Sequence, residues 1–223
     1  MREMRSSLIF AVLSLCGLAF AGRRPDDAPE GWATCVAKGD PHYITYDGLE
    51  YEFAGHCSYV LTTDCTPHSV ERRFSVEASN MVLGKSSRVV MVTVIVHQYV
   101  IELLANKVIK IDNVEVVDPY FPYHVNQGNQ VVIYEDGEYL RVESENGIHV
   151  LWDGNFHVEI DVDPEPVEHG VLQLCGMCGN INGIARPYDD LVLFDGLPVR
   201  SDSETDIKEF AESWVVANSC VTI

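Results

Sequence analysis

An all-β dominated fold is what this sequence predicts: an antiparallel β-sandwich or barrel-like sheet, closed by a short C-terminal helix and stapled by disulfides. Three observations carry that expectation. Short β-branched and aromatic runs recur along the chain, separated by Asp-Gly, Asn-Gly and Asp-Asn pairs whose residues tolerate positive φ and therefore favour hairpins. Helical periodicity stands out in one stretch near the end. Six cysteines lie downstream of an N-terminal apolar leader.

The leader comes first. Arg2 and Arg5 precede an apolar run over residues 8–20, and Ala19-Phe20-Ala21 is a small-x-small cleavage site, so residues 1–21 read as a signal peptide. Residues 22–33, rich in Arg, Pro, Asp and Glu, read as a flexible lead-in, and residues 34–220 as one domain. Strand texture begins at Tyr43. Tyr51-Glu52-Phe53 and Ser58-Tyr59-Val60-Leu61 are short strands, and residues 88–104 are a long Val/Ile-rich run. Residues 108–111 and 114–116 follow, split by Asp112-Asn113. Then come 130–134, 138–143, 148–152 and 156–162, separated by Asp136-Gly137, Asn146-Gly147 and Asp153-Gly154. Ser203 or Asp206 can cap the one helix, and Ile207, Phe210, Ala211, Trp214 and Val215 form its core-facing stripe. His97 and Gln98 interrupt the apolar stretch over 89–100, so no membrane span is expected.

Charge narrows the function classes. The chain carries 15 basic and 34 acidic residues, a formal net of −19, and loss of Arg2, Glu3 and Arg5 with the leader makes it about −20. Such acidity argues against nucleic acid and anionic lipid, and suits cations, basic partners or solubility. Cys16 leaves with the leader. Cys35, Cys57, Cys65, Cys175, Cys178 and Cys220 then read as three disulfides of an exported chain, with fifteen pairings open to spacing alone. A reduced Cys-x-x-Cys redox site at Cys175 and Cys178 is the competing reading, but no strand-to-helix junction opens there. Zinc at His56-Cys57 or at Cys65 with His68 is disfavoured because disulfides consume those cysteines. No nucleophile elbow, Walker loop or His-Glu-x-x-His is present, and neither is an Asn-x-Ser/Thr sequon. Tyr120-Phe121-Pro122-Tyr123 is a Pro-bounded aromatic segment, read as packing rather than as an exposed patch.

Two segments carry the chemistry. Cys175-Gly176-Met177-Cys178-Gly179-Asn180-Ile181-Asn182-Gly183 joins cysteines to an amide-rich loop, followed by Asp189-Asp190. Gly39-Asp40-Pro41-His42-Tyr43 and Tyr46-Asp47-Gly48 lie near the other end. With Tyr51-x-Phe53-x-Gly55-x-Cys57-x-Tyr59-Val60-Leu61 and Phe210-Ala211-x-Ser213-Trp214, these ordered blocks resemble the von Willebrand factor type D domain over nearly all of the mature chain. Met177 stands where that family usually has Leu. The C8 and trypsin-inhibitor-like modules that often follow are not seen, so a lone module is expected.

The resemblance implies the pairing Cys35–Cys178, Cys57–Cys220 and Cys65–Cys175. It also implies a calcium site formed by Asp47, Asn180, Asn182, the Ile184 carbonyl, Asp189 and Asp190, an all-oxygen set that suits a hard cation. A run of Asx-turns in a tight loop accounts for the same residues without a metal. Some family members cleave themselves within Gly-Asp-Pro-His, so Asp40, Pro41 and His42 are candidates for self-cleavage, although the letters also suit a turn. No other catalytic role is expected. The resemblance thus points to a secreted, calcium-stabilised interaction or structural module that binds extracellular proteins, matrix, mucus or mineral. A luciferase-type secreted enzyme and a yolk or lipid-transport protein are the alternatives. The motifs specify neither the partner nor the oligomeric state.

Overall fold

The computed structural model describes residues 28–39, 42–67, 73–84 and 86–220. The expected leader, the lead-in up to residue 27, the Asp40-Pro41 bond and His68 lie outside the described residues. The strands are β1 (Ala33–Lys38), β2 (His42–Ile44), β3 (Glu50–Glu52), β4 (Ser58–Asp64), β5 (Phe74–Leu83), β6 (Ser86–Val96) and β7 (Tyr99–Leu104). They continue with β8 (Ile109–Ile111), β9 (Val114–Glu115), β10 (Tyr123–His124), β11 (Val131–Asp136), β12 (Tyr139–Ser144), β13 (Ile148–Trp152) and β14 (His157–Val162). Then come α1 (Glu165–Glu168), β15 (Leu174–Cys175), α2 (Pro187–Asp190) and α3 (Glu204–Ser213).

Two antiparallel sheets form the sandwich. One runs β10-β11-β12-β13-β14-β1-β2-β3, the other β15-β4-β5-β6-β7-β8-β9. Local chemistry makes the hairpins. Asp112 and Asn113 both take positive φ, 50° and 65°, and turn β8 into β9. Gly137, Gly147 and Gly154 lie at positive φ in the turns joining β11 to β14. Period-2 alternation then sorts the side chains: Val158, Ile160 and Val162 of β14 face the core, as do Leu140 and Val142 of β12. On the facing sheet Val92, Val94, Ile101 and Leu103 are buried with them in one cluster. Trp152 is fully buried, and its indole Nε1 donates to the Leu104 carbonyl at 2.9 Å, tying β13 to the end of β7.

Three differences from the expected strands have physical causes. The 88–104 run is two strands, because His97 at φ 52° and Gln98 turn it back on itself. Strand β1 starts at Ala33, within the stretch read as lead-in; pairing with β14 on one side and β2 on the other orders it. Strand β5 falls outside the expected runs, though Phe74, Val76 and Ala78 alternate inward along it and it pairs with both β4 and β6. At the C-terminus Ser203 is the cap, its side chain accepting from the Asp206 N–H at 3.2 Å. Helix α3 buries Ile207, Phe210 and Ala211, while Trp214 and Val215 continue the stripe just beyond its last turn.

The cysteines close the ends of the sandwich. Cys35 pairs with Cys178, Cys57 with Cys220 and Cys65 with Cys175, at Cα separations of 5.7, 4.2 and 6.1 Å. The sequence separations are 143, 163 and 110 residues. In the chain-entropy account, loops of that length restrict the unfolded chain enough to contribute about 4–5 kcal/mol each. No helix among the described residues is long and apolar enough to cross a membrane.

Candidate metal centre

The site is built where the Cys175–Cys178 loop docks on β4. The backbone N–H groups of Met177 and Cys178 donate to the carbonyls of Val60 and Leu61, at 3.0 and 2.7 Å. Gly176 makes that approach possible, because a Cβ there would stand 2.6 Å from the Leu61 carbonyl oxygen. The Tyr51 hydroxyl donates to the Met177 carbonyl at 2.6 Å, and the Tyr46 N–H donates to the Cys178 carbonyl at 3.1 Å. These bonds and the Cys35–Cys178 bridge fix the turn after β2 against the loop that follows Cys178. That turn is closed locally: the Thr45 N–H donates to the Leu49 carbonyl, and the Leu49 N–H donates to the Thr45 hydroxyl, both at 2.9 Å.

Asp47 at the tip of the turn is thereby brought to residues 182–184. Its carboxylate accepts from the successive N–H groups of Asn182, Gly183 and Ile184, at 2.9–3.3 Å. Across the loop, Pro187 starts the short helix α2, which sets Asp189 and Asp190 side by side. Carboxylate oxygens of Asp47, Asp189 and Asp190 lie within 4.8 Å of one another, although Asp47 is over 140 residues away in sequence. Asp189 Oδ2 accepts from the side-chain amides of Asn180 and Asn182, at 3.1 and 2.8 Å.

Asp190 differs from its two partners. It is 1% exposed, and Oδ2 accepts a 3.3 Å bond from the Thr45 hydroxyl, but among the described residues Oδ1 meets no donor in bonding geometry. Burial, and next the charge of Asp47, push its pKa up to about 7; the Asp189 carboxylate adds to this, and the Thr45 hydroxyl and the Asn180 N–H, which is near but outside bonding geometry, counter it only in part. Asn180 Oδ1 is likewise buried without a donor. Gly179 is the close neighbour: it sits at φ +72°, and a Cβ there would be 2.5 Å from Asp190 Oδ1.

Mutually repelling carboxylates and two donorless oxygens on a shared wall fit a hard cation. Asp47, Asn180, Asp189 and Asp190 would hold it, and it would supply the charge that joins the two loops. The other two expected ligands, Asn182 and Ile184, belong to the same loop, and the oxygen expected of each carries one hydrogen bond. Asn182 Oδ1 accepts from the Ile184 N–H at 2.9 Å, an Asx-turn, and the Ile184 carbonyl accepts from Arg186 N–H at 2.8 Å. Thr45 is not in the expected ligand set, although it lies two residues before Asp47; among the described residues its hydroxyl is the one side-chain donor to Asp190.

The remaining expected residues lie elsewhere. His42 is exposed on β2, with Nδ1 3.2 Å from Glu52 Oε1 across the β2–β3 pair. Tyr120 is 88% exposed, whereas Phe121 and Tyr123 pack against the core, so the aromatic segment divides.

Comparison with known proteins agrees with this architecture. A family model described as the von Willebrand factor type D domain matches residues 35–197. Zonadhesin of Sus scrofa is 35% identical over 82% of this chain and 7% of its own length. IgGFc-binding protein of Homo sapiens is 33% identical over 83% of the chain, and alpha-tectorin of Mus musculus 34% over 85%. The chain spans only 3% and 8% of those two proteins. Its bridged cysteines and its relatives make it an extracellular protein. By both the family model and these relatives, the chain belongs to the von Willebrand factor type D domain family.

Proposed function

We propose that this protein is an extracellular structural and interaction module whose two chain ends are locked together by a bound calcium ion. One observation carries the reading: Asp47 meets Asp189 and Asp190 within 4.8 Å, and Asp190, almost fully buried, keeps one oxygen without a donor. A buried anion in that position is costly until a cation answers it. An all-oxygen donor set held on loops favours Ca²⁺, which accepts six to eight oxygens in flexible geometry, over Mg²⁺, which demands a tight octahedron. Asn182 Oδ1 and the Ile184 carbonyl each accept one loop hydrogen bond and keep a second lone pair with which to complete the shell.

A ligand that binds only the native state stabilises it by mass action. Melting followed by near-ultraviolet circular dichroism should therefore rise with calcium and fall with chelator. Asp47→Ala combined with Asp190→Asn should abolish the difference. An identical melt in millimolar calcium and in excess chelator, with no heat of binding in calorimetry, would sink the calcium reading. The formal charge of −19 favours basic polypeptides or a calcium mineral as partners. Retention on calcium phosphate that salt weakens would support this, and salt-insensitive or absent retention would count against it.

A further inference from the structure

Strand β9 ends its sheet with one side unpaired. In the β8–β9 hairpin Lys110 stands opposite Glu115 and Ile111 opposite Val114, and the Val116 N–H donates to the Ile109 carbonyl at 3.0 Å. Backbone groups alternate in direction along a strand, so those of Glu115 and Val117 turn away from β8. Among the described residues neither N–H meets an acceptor, and no strand covers this edge. The usual guards of an open edge are missing: no Pro or Lys interrupts residues 112–118, and Val114 and Val117 are 69% and 74% exposed. Val114 lies on the same face as Val116, which packs against the core, so a further strand would extend the apolar floor on that side. On the other face the register makes a ladder of charge. Glu102 of β7 faces Lys110 of β8, and Lys110 faces Glu115 of β9. The signs alternate outward, and the next place calls for a cation. Strand β9 of a second copy supplies none: residues 111–123 hold Asp112, Glu115 and Asp118 but no Lys or Arg, so pairing edge to edge would bring carboxylates together.

We propose that β9 is a docking edge for an extended segment of a basic extracellular polypeptide, which adds to the sheet as a further strand with a Lys or Arg opposite Glu115 and an apolar residue on either side of it. Main-chain hydrogen bonds to Glu115 and Val117 make the attachment, the flanking apolar residues cover Val114 and Val116, and the cation selects the register. The inference rests on the basic-partner reading above and gives it a place on the molecule; it does not depend on calcium.

The test uses the whole protein and end-blocked peptides, with binding followed by amide chemical shifts and amide hydrogen exchange. Thr-Val-Lys-Val-Thr should bind saturably, with shifts concentrated over residues 109–118 and slowed exchange at the Glu115 and Val117 N–H groups. An exposed cross-strand ion pair implies an affinity about two- to fivefold above that of Thr-Val-Gln-Val-Thr, and Thr-Val-Glu-Val-Thr should bind more weakly than either. N-methylation of the lysine backbone nitrogen keeps the charge but removes the donor to the Glu115 carbonyl, so it should abolish binding. Glu115→Lys changes an exposed side chain, leaves the backbone edge in place and should reverse the order of the Lys and Glu peptides. Undiminished binding of the N-methylated peptide would reduce the contact to charge attraction and overturn strand addition. An unchanged peptide order in Glu115→Lys, or no saturation by any peptide, overturns the proposal as well. A concentration-dependent dimer with protected Glu115 and Val117 amides would assign the edge to a second copy instead and likewise overturn it. The peptide order should be the same in calcium and in chelator, so the docking edge is judged apart from melting in calcium and from retention on calcium phosphate.

Discussion

Asp190→Asn should stabilise the calcium-free protein at neutral pH, an unusual outcome for a change at a buried, hydrogen-bonded position. Burial and the Asp47 charge push the wild-type carboxyl up to about 7 in the fold, against an ordinary value of 3.8. Below the ordinary value both states hold the proton, and the group's full stability is present. As pH rises towards 7 the unfolded chain ionises while the folded one resists, so stability is lost over that window and stays lost above it. A span of roughly three pH units at about 1.4 kcal/mol each makes the loss about 4 kcal/mol. For a domain of this size that is a fall in melting temperature of about 10 °C. Asparagine keeps an oxygen for the Thr45 hydroxyl and carries no charge, so its variant should lack this part of the pH dependence. The assay is thermal melting of both proteins in chelator from pH 4 to 8. Taking the difference between them cancels the titration of the other acids. Calcium should reverse the wild-type trend, because it needs the ionised carboxyl: its stabilisation should be small at pH 5 and large at pH 8. A wild-type curve parallel to that of Asp190→Asn would refute the argument, as would a variant less stable than wild type at pH 8 in chelator.

Further outcomes follow from single contacts. Asp47→Ala removes the acceptor of three N–H groups and should cost about 1–3 kcal/mol even without metal, measured by denaturant unfolding in chelator. Trp152→Phe takes the 2.9 Å donor from the part-buried Leu104 carbonyl and should destabilise by a similar amount; a shift under a few tenths would show that water replaces the indole. Peptide mapping without reduction should return the three bridges, and a titratable Cys175–Cys178 dithiol in the native protein would contradict them. Gly179→Ala should eliminate the calcium response, because its Cβ would press on Asp190 Oδ1.

Much of this fold is legible because it is decided within a few residues. Asp112-Asn113 turns β8 into β9 by the φ preferences of two side chains, whichever sheet surrounds them. The Ser203 cap and the Ile207, Phe210, Ala211 stripe specify helix α3 from one face of ten residues. Cysteine parity behind an apolar leader points to an oxidised, extracellular chain before any contact is known. The strand boundaries that differ also have local signals. His97 and Gln98 were visible as an interruption of the apolar run, and the alternation of Phe74, Val76 and Ala78 was available in the residues of β5.

What spacing could not decide is which distant segments meet. Fifteen cysteine pairings were open to it, and one results because β1 lies between β14 and β2 and carries Cys35 to the loop docked on β4. Asp189 and Asp190 are indistinguishable as letters. Only the packed turn at Thr45 buries one and leaves the other at the loop surface, and with burial come the raised pKa and the donorless oxygen. Backbone preference and periodicity act over a handful of residues, so the sequence by itself determined the turns, the strand texture and the helix. Desolvation and charge proximity depend on what closes over a group, so the site was decided only when the two sheets and their bridges came together.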